Sequence, residues 1–173
     1  EIRENDTNSP AALWRKTRYF SILNRCEIKS MPDFDMIYPI DDSYLFFFRT
    51  VPLQKETLDE LLSAYFAKLT EDSTQRVRPM LLLALAKKTI AKSLRRFDIL
   101  EFPSTIRNLF DDNKAFRHGS TEHSACLELA DRLDNEADTL LANADTLLST
   151  DTAADISSYS AYNHPDDKII MLP

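Results

Sequence analysis

The 173-residue sequence predicts an all-α fold, a single helical bundle of five or six helices with a long C-terminal coiled-coil-like helix. Glycine occurs once, as Gly119, and helical bundles need glycine less than β-hairpins or phosphate-binding loops do. Near the C-terminus, apolar residues repeat with the heptad spacing of helices that pack on helices. These seam residues are Ala130, Leu133, Ala137, Leu140, Ala144 and Leu147, and Cys126 extends the leucine row by one step.

The first quarter of the chain predicts one helix and an irregular connection. Ser9 and Pro10 indicate a helix start, because serine caps helices and proline favours their first position. This helix is expected to reach about Cys26, and its apolar residues available for burial are Leu13, Tyr19, Phe20, Ile22 and Leu23. Residues 27–42 contain two prolines and several aspartates, which indicate an irregular connection.

Three further helices are predicted between residues 43 and 110. The aromatic run at 43–51 suits a strand or a helix, and with no evident strand partner a helix or an extended packing segment is favoured. Leucines and aromatic residues over 58–69 form one continuous stripe, which predicts an amphipathic helix. Pro79 is expected to open a long helix that reaches about Phe97, and Ser104 is expected to cap a short one.

The C-terminal third is acidic. Residues 1–118 contain 19 Lys and Arg against 17 Asp and Glu, whereas residues 119–173 contain 2 against 11, a net charge of −9. After a loop, the last helix is expected over 120–149. We therefore predict a helical domain over 1–150 and an acidic, polar tail over 151–173. The acidic end is explained either by a basic partner or by a solvated acidic helix face.

The predicted helix from Pro79 has a basic side opposite its apolar side. At 100° per residue, five cations share that side and form a candidate partner-binding face: Lys87, Lys88, Lys92, Arg95 and Arg96. Such a face could contact an acidic protein or nucleic-acid phosphates, and an ordinary solvated face is the alternative. If it binds a partner, reversing three of its charges should abolish binding and change stability by no more than about 0.5 kcal/mol.

Catalytic and metal-binding patterns are weak. The sequence has no P-loop, dinucleotide fingerprint or nucleophile elbow, since all three need glycine. His118, Glu122, His123 and Cys126 form the one metal-like cluster, but only two of them pair naturally, whereas zinc needs three or four converging ligands. Leu58–Leu62 has the Leu-x-x-Leu-Leu pattern of groove-docking helices, although a core role explains the same leucines. We expect no enzyme activity, no metal and no cofactor.

Several short segments follow the order of landmarks in one enzyme family. They are Arg78-Pro79-Met80-Leu81, Asp111-Asp112, Arg117-His118-Gly119-Ser120-Thr121 and Ala137-Asp138-Thr139-Leu140-Leu141-Ala142. This order resembles that of trans-polyprenyl diphosphate synthases, and the resemblance implies an all-helical fold with paired aspartates that hold magnesium on a diphosphate. The family's third aspartate would fall at Ala115, and Gln75 replaces an expected basic residue. A degenerate relative of that family is therefore an alternative.

The leading functional prediction is a non-enzymatic protein-interaction subunit or adaptor of a multiprotein assembly. Its partners are expected to be other protein subunits, bound through an acidic surface or the helix seam. The first alternative is a nucleic-acid-binding protein that uses the basic face of the 79–97 helix. The apolar runs are too short to span a membrane and no signal peptide is evident, so an intracellular protein, cytoplasmic or nuclear, is expected.

Overall fold

The computed structural model describes residues 9–109 and 122–157, and within them every regular element is helical, which confirms the all-α prediction for that part of the chain. A π-helical turn, Leu58–Leu62, joins α4 to α5, and a 3-10 turn, Ile99–Glu101, follows α6. The helices are α1 (Pro10–Arg15), α2 (Arg18–Leu23), α3 (Met31–Ile37), α4 (Tyr44–Thr57), α5 (Ser63–Ala67), α6 (Glu71–Arg96), α7 (104–109) and α8 (Glu122–Ser157).

Helix α6 is the centre of the bundle, and α8 packs along it. Ion pairs between the two helices give their relative direction. Lys88 contacts Asp138 at 2.7 Å, and Arg95, further along α6, contacts Asp131 at 2.7 Å, earlier in α8. Residue numbers therefore rise along one helix as they fall along the other, so α6 and α8 are antiparallel.

Helix α4 and the π-helical turn lie against α6 in the same antiparallel sense. Lys92 contacts Glu60 at 2.5 Å, and Arg96 contacts Glu56 at 2.7 Å. Helices α4, α6 and α8 share one continuous apolar core with α3 and the segment before α7. Its fully buried large side chains include Phe34, Phe46, Phe47, Leu62, Leu81, Leu85, Ile90, Ile106 and Leu129.

The predicted seam lies on the side of α8 that enters this core, but its two rows differ. Ala130, Ala137 and Ala144 are fully buried and Leu133 is 3% exposed, whereas Leu140 and Leu147 are half-buried and Leu141 is buried instead. A strict heptad row rotates by about 20° per repeat on a straight helix, which accounts for the outward turn of the later leucines, while the alanine row stays within the buried side. The coiled-coil character of α8 stays a prediction.

The N-terminal region differs from the prediction. The expected helix to Cys26 is two helices, because the hydroxyl of Thr17 accepts a hydrogen bond from the Phe20 N–H at 3.2 Å and caps α2. The connection expected over 27–42 contains α3, which Ser30 caps. The aromatic run at 43–51 is helical and continues beyond Val51 as α4.

Two long helices are longer than predicted: α6 begins earlier and α8 ends later. Helix α6 begins at Glu71, not at Pro79, because Thr70 and Ser73 form a reciprocal capping box about two turns before the proline. Pro79 lies inside α6 and Pro52 inside α4, where each removes one backbone hydrogen bond. Helix α8 continues to Ser157, past the predicted domain boundary at residue 150.

Candidate protein-interaction surfaces

The five cations predicted to bind a partner are in ion pairs within the chain. On the side of α8, Lys87 pairs with Glu136, and the Lys88 ammonium lies 2.7 Å from Asp138 and 3.6 Å from Asp134. Arg95 donates to the carboxylates of Asp131 and Asp134, each at 2.7 Å. These cations therefore fasten α6 to α8.

The remaining two cations fasten α6 to α4 and the π-helical turn. The Lys92 ammonium donates to Glu56 at 2.9 Å and to Glu60 at 2.5 Å. The Arg96 guanidinium donates to both oxygens of the Glu56 carboxylate at 2.7 Å, the bidentate geometry that is strongest for this pair. The hydrogen bonds from Arg96 and then from Lys92 lower the pKa of Glu56 to about 2.

This pairing changes the expected character of the basic face. Between residues 84 and 94 every side chain is buried or half-buried, and the Lys88 side chain is 10% exposed, so the three lysines of the predicted face pack against neighbouring helices, whereas Arg95 and Arg96 are exposed. The five cations contact six carboxylates, so the combined surface is not positive. Binding of a partner by these cations stays a prediction, and it would have to compete with the intramolecular pairs.

A different surface exposes aromatic side chains. Trp14, Tyr19 and Tyr44 are all exposed, and their ring centroids lie 5.5, 6.3 and 6.4 Å from that of Phe48 in α4. The three rings therefore form one group around a half-buried phenylalanine. Two exposed leucines and two exposed arginines neighbour them in the sequence. We call this set the N-terminal surface, and its residues are Leu13, Trp14, Arg15, Arg18, Tyr19, Tyr44 and Leu45.

The short helices α1 and α2 explain the position of these residues. Ser9 caps α1 and Thr17 caps α2, so two helices of six residues each replace one long amphipathic helix. Helix α1 and helix α2 contain no buried residue. Two residues expected to be available for burial, Leu13 and Tyr19, are instead exposed.

The N-terminal surface is also locally cationic. Residues 10–25 contain four cations and no Asp or Glu. Among the described residues, Arg15, Arg18 and Arg25 are exposed and belong to none of the ion pairs. The sequence signal for this surface is the alternation of aromatic and cationic residues from Trp14 to Tyr19. This alternation did not predict a surface, because the prediction of one continuous helix made Tyr19 available for burial in the core.

A second apolar feature lies between α3 and the N-terminal half of α6. It is a groove of about 540 Å³, lined mainly by aliphatic side chains and by the stem of Arg78. Met36 at its edge is 87% exposed. The Arg78 guanidinium donates to Glu27 at 2.8 Å, so the charge beside the groove is neutralised.

The weaker sequence motifs do not form a site in the described part of the chain. Within that part, no three His, Cys, Asp or Glu side chains are placed to hold a metal ion. Cys126 lies in α8 with 8% exposure. His118 and the aspartate pair at 111–112 lie outside the described residues. In the Leu-x-x-Leu-Leu pattern, Leu58 and Leu62 are core residues, and Leu61 is exposed.

Two landmarks of the synthase-like order also have partners within the fold. Arg78 pairs with Glu27, and Asp138 pairs with Lys88.

Comparison with protein-family models, curated proteins and solved structures gives no significant match. No helix in the described ranges is both long enough and apolar enough to cross a membrane. Function must therefore be argued from the surfaces themselves.

Proposed function

We propose that this chain is a non-enzymatic protein-interaction subunit or adaptor, and that the N-terminal surface is where it binds its partner. The observation that supports this is the group of three exposed aromatic rings around Phe48, beside arginines that pair with no carboxylate in the described chain. Large apolar side chains exposed together on a folded chain are typical of interaction sites.

The residue types also suit a protein interface. Tryptophan, tyrosine and arginine dominate the binding energy of protein interfaces, because they combine a large contact area with directed polar groups. Contacts with Phe48 hold the rings of Trp14 and Tyr19, so binding would immobilise few additional torsions. By contrast, a partner for the α6 cations would have to displace carboxylates that already contact them.

The experiment is recovery of partners on the tagged full chain, followed by mass spectrometry. A variant with Tyr44→Ser and Leu45→Ser changes two exposed residues at the start of α4. The matched control is Leu61→Ser, another exposed apolar residue, placed about 24 Å further along the helix axis at 1.5 Å per residue. Far-UV circular dichroism of each variant checks that the fold is intact.

We expect the double variant to weaken recovery of a specific protein at least about tenfold, since loss of a hot-spot residue costs about 2 kcal/mol or more and tenfold corresponds to about 1.4 kcal/mol. The Leu61→Ser control should recover it normally. Equal recovery by all three chains would refute the assignment of this surface. Recovery that disappears after nuclease treatment would favour the nucleic-acid alternative instead.

A further inference from the structure

We infer that the N-terminal surface binds an acidic segment of a partner protein that also carries apolar side chains. This inference rests on the proposed function and adds the chemistry of the partner. Three observations support it: the pairing state of the cations, the exposed apolar residues between them, and the charge of the whole chain.

Eight of the cations elsewhere in the described chain have carboxylate partners, whereas others, such as Arg76, have none among the described residues. Arg49 contacts Glu101, Arg78 contacts Glu27, and five further cations of α6 pair with carboxylates of neighbouring elements. Arg15, Arg18 and Arg25 are exposed, form no ion pair with any described residue, and lie in a segment, residues 10–25, that contains no Asp or Glu. A cluster of unpaired cations attracts an anionic ligand through its local potential.

The apolar residues show that charge alone does not define the ligand. Leu45 is 75% exposed and Leu13 is 52% exposed, and they adjoin Tyr44 and Trp14 in the sequence. Aliphatic side chains gain free energy by contact with other apolar groups and gain little from phosphates. The complementary ligand therefore places carboxylates opposite the arginines and apolar side chains opposite the leucines and rings.

The total charge favours a short acidic protein segment over a long polyanion. The chain carries a net charge of −7, and residues 119–173 alone carry −9. The net negative charge of the chain opposes a long nucleic acid or an anionic bilayer, which exceeds the screening length in size. A short peptide lies within about 8 Å of the cations, the screening length at physiological salt, and meets mainly those cations.

The chain contains its own reporter for the test. Trp14 is the single tryptophan, so its fluorescence emission reports directly on the N-terminal surface. The full chain is titrated with a short peptide in which Glu alternates with Leu. A second peptide with Lys in place of Glu is the control ligand. We expect a saturable blue shift of Trp14 emission with the acidic peptide and none with the basic one.

Charge reversal on the protein supplies the second control. The variant with Arg15→Glu and Arg18→Glu should bind the acidic peptide about tenfold more weakly or not at all, because each change removes an attraction and adds a repulsion. Arg76 is an exposed cation on α6 that also belongs to no ion pair among described residues. The control variant Arg76→Glu should therefore leave the affinity for the acidic peptide unchanged.

Several outcomes would overturn the inference. They are equal binding of the acidic and basic peptides, absence of any shift with the acidic peptide, or a shift given only by a single-stranded oligonucleotide or by phosphatidylserine vesicles. A blue shift that grows with protein concentration alone would assign the surface to a second copy of the chain. A shift seen only after Glu4→Gln and Asp6→Asn would assign it to the chain's own first residues.

Failure of this inference can be distinguished from failure of the proposed function. If Tyr44→Ser with Leu45→Ser weakens partner recovery but Arg15→Glu with Arg18→Glu does not, the surface is correct and the partner is not acidic. If neither variant weakens recovery, both the surface and its partner chemistry are wrong.

Discussion

Replacing two leucines of the same heptad row tests how α8 packs. Leu133 is 3% exposed, whereas Leu140, one heptad later, is half-buried. Leu133→Ala should lose about 3 kcal/mol of unfolding free energy, because it removes a buried side chain and leaves a cavity. Leu140→Ala should lose only about 1 kcal/mol, since part of its side chain already contacts water. Both changes replace leucine by alanine in one helix, so helix propensity cancels between them.

Urea unfolding followed by far-UV circular dichroism measures the two losses, provided that the slope of the transition is the same in both variants. Leu133→Ala should lower the midpoint more than Leu140→Ala does. Equal losses would refute the reasoning, because they would mean that the heptad row stays in the core and that α8 supercoils. A loss below about 0.5 kcal/mol for Leu133→Ala would place that residue on the surface.

Three further predictions follow from the paired charges and the buried thiol. Replacing Lys88, Lys92 and Arg95 by Glu should lower the unfolding free energy by about 3 kcal/mol or more, although the sequence alone predicts a change of no more than about 0.5 kcal/mol. The control Arg76→Glu should change the unfolding free energy by no more than about 0.5 kcal/mol. The midpoints of urea unfolding measure both changes. The pKa of Glu56 lies at about 2 against an ordinary 4.5, so its ion pairs stabilise the fold above pH 4.5 and this contribution is lost as the pH falls towards 2. The difference in urea midpoint between wild type and Glu56→Gln should therefore shrink from pH 7 to pH 2.5. A difference that stays constant over this range would contradict the prediction. Burial raises the pKa of the Cys26 thiol to about 11, so a disulfide reagent at pH 8 should label it only after unfolding, and rapid labelling of the native chain would refute its burial.

The sequence was sufficient to predict a helical chain and the burial of the alanine row of α8, whereas it predicted too few helices. Small and large apolar residues at heptad spacing identify the side of a helix that packs, and Ala130, Ala137 and Ala144 are indeed fully buried. For the aromatic run at 43–51 the sequence was not sufficient, because the run has no periodicity that separates helix from strand, and only the structure shows that Ser43 caps α4.

The character of the α6 cations could not be predicted in the same way. Helical periodicity shows that Lys88 and Arg95 share a side, but not whether another helix covers that side. The partners of the α6 cations lie in α4, the π-helical turn and α8, between 32 and 50 residues away in sequence, so only the tertiary arrangement brings the charges together.

The N-terminal surface was missed for a local reason. The hydroxyl of Thr17 divides the expected helix, and the two short helices cannot bury one continuous apolar stripe. The start of α6 was wrongly predicted at Pro79, because proline favours the first turn of a helix. In the structure the Thr70 capping box begins the helix, and Pro79 lies inside α6.

Hydrogen–deuterium exchange of the chain, alone and with its recovered partner, tests the central claim that the N-terminal surface is the binding surface. Exchange should slow over residues 10–25 and at the start of α4, and it should stay unchanged over 84–96, where the cations pair within the chain. Slower exchange confined to other segments, with none over 10–25, would contradict the account.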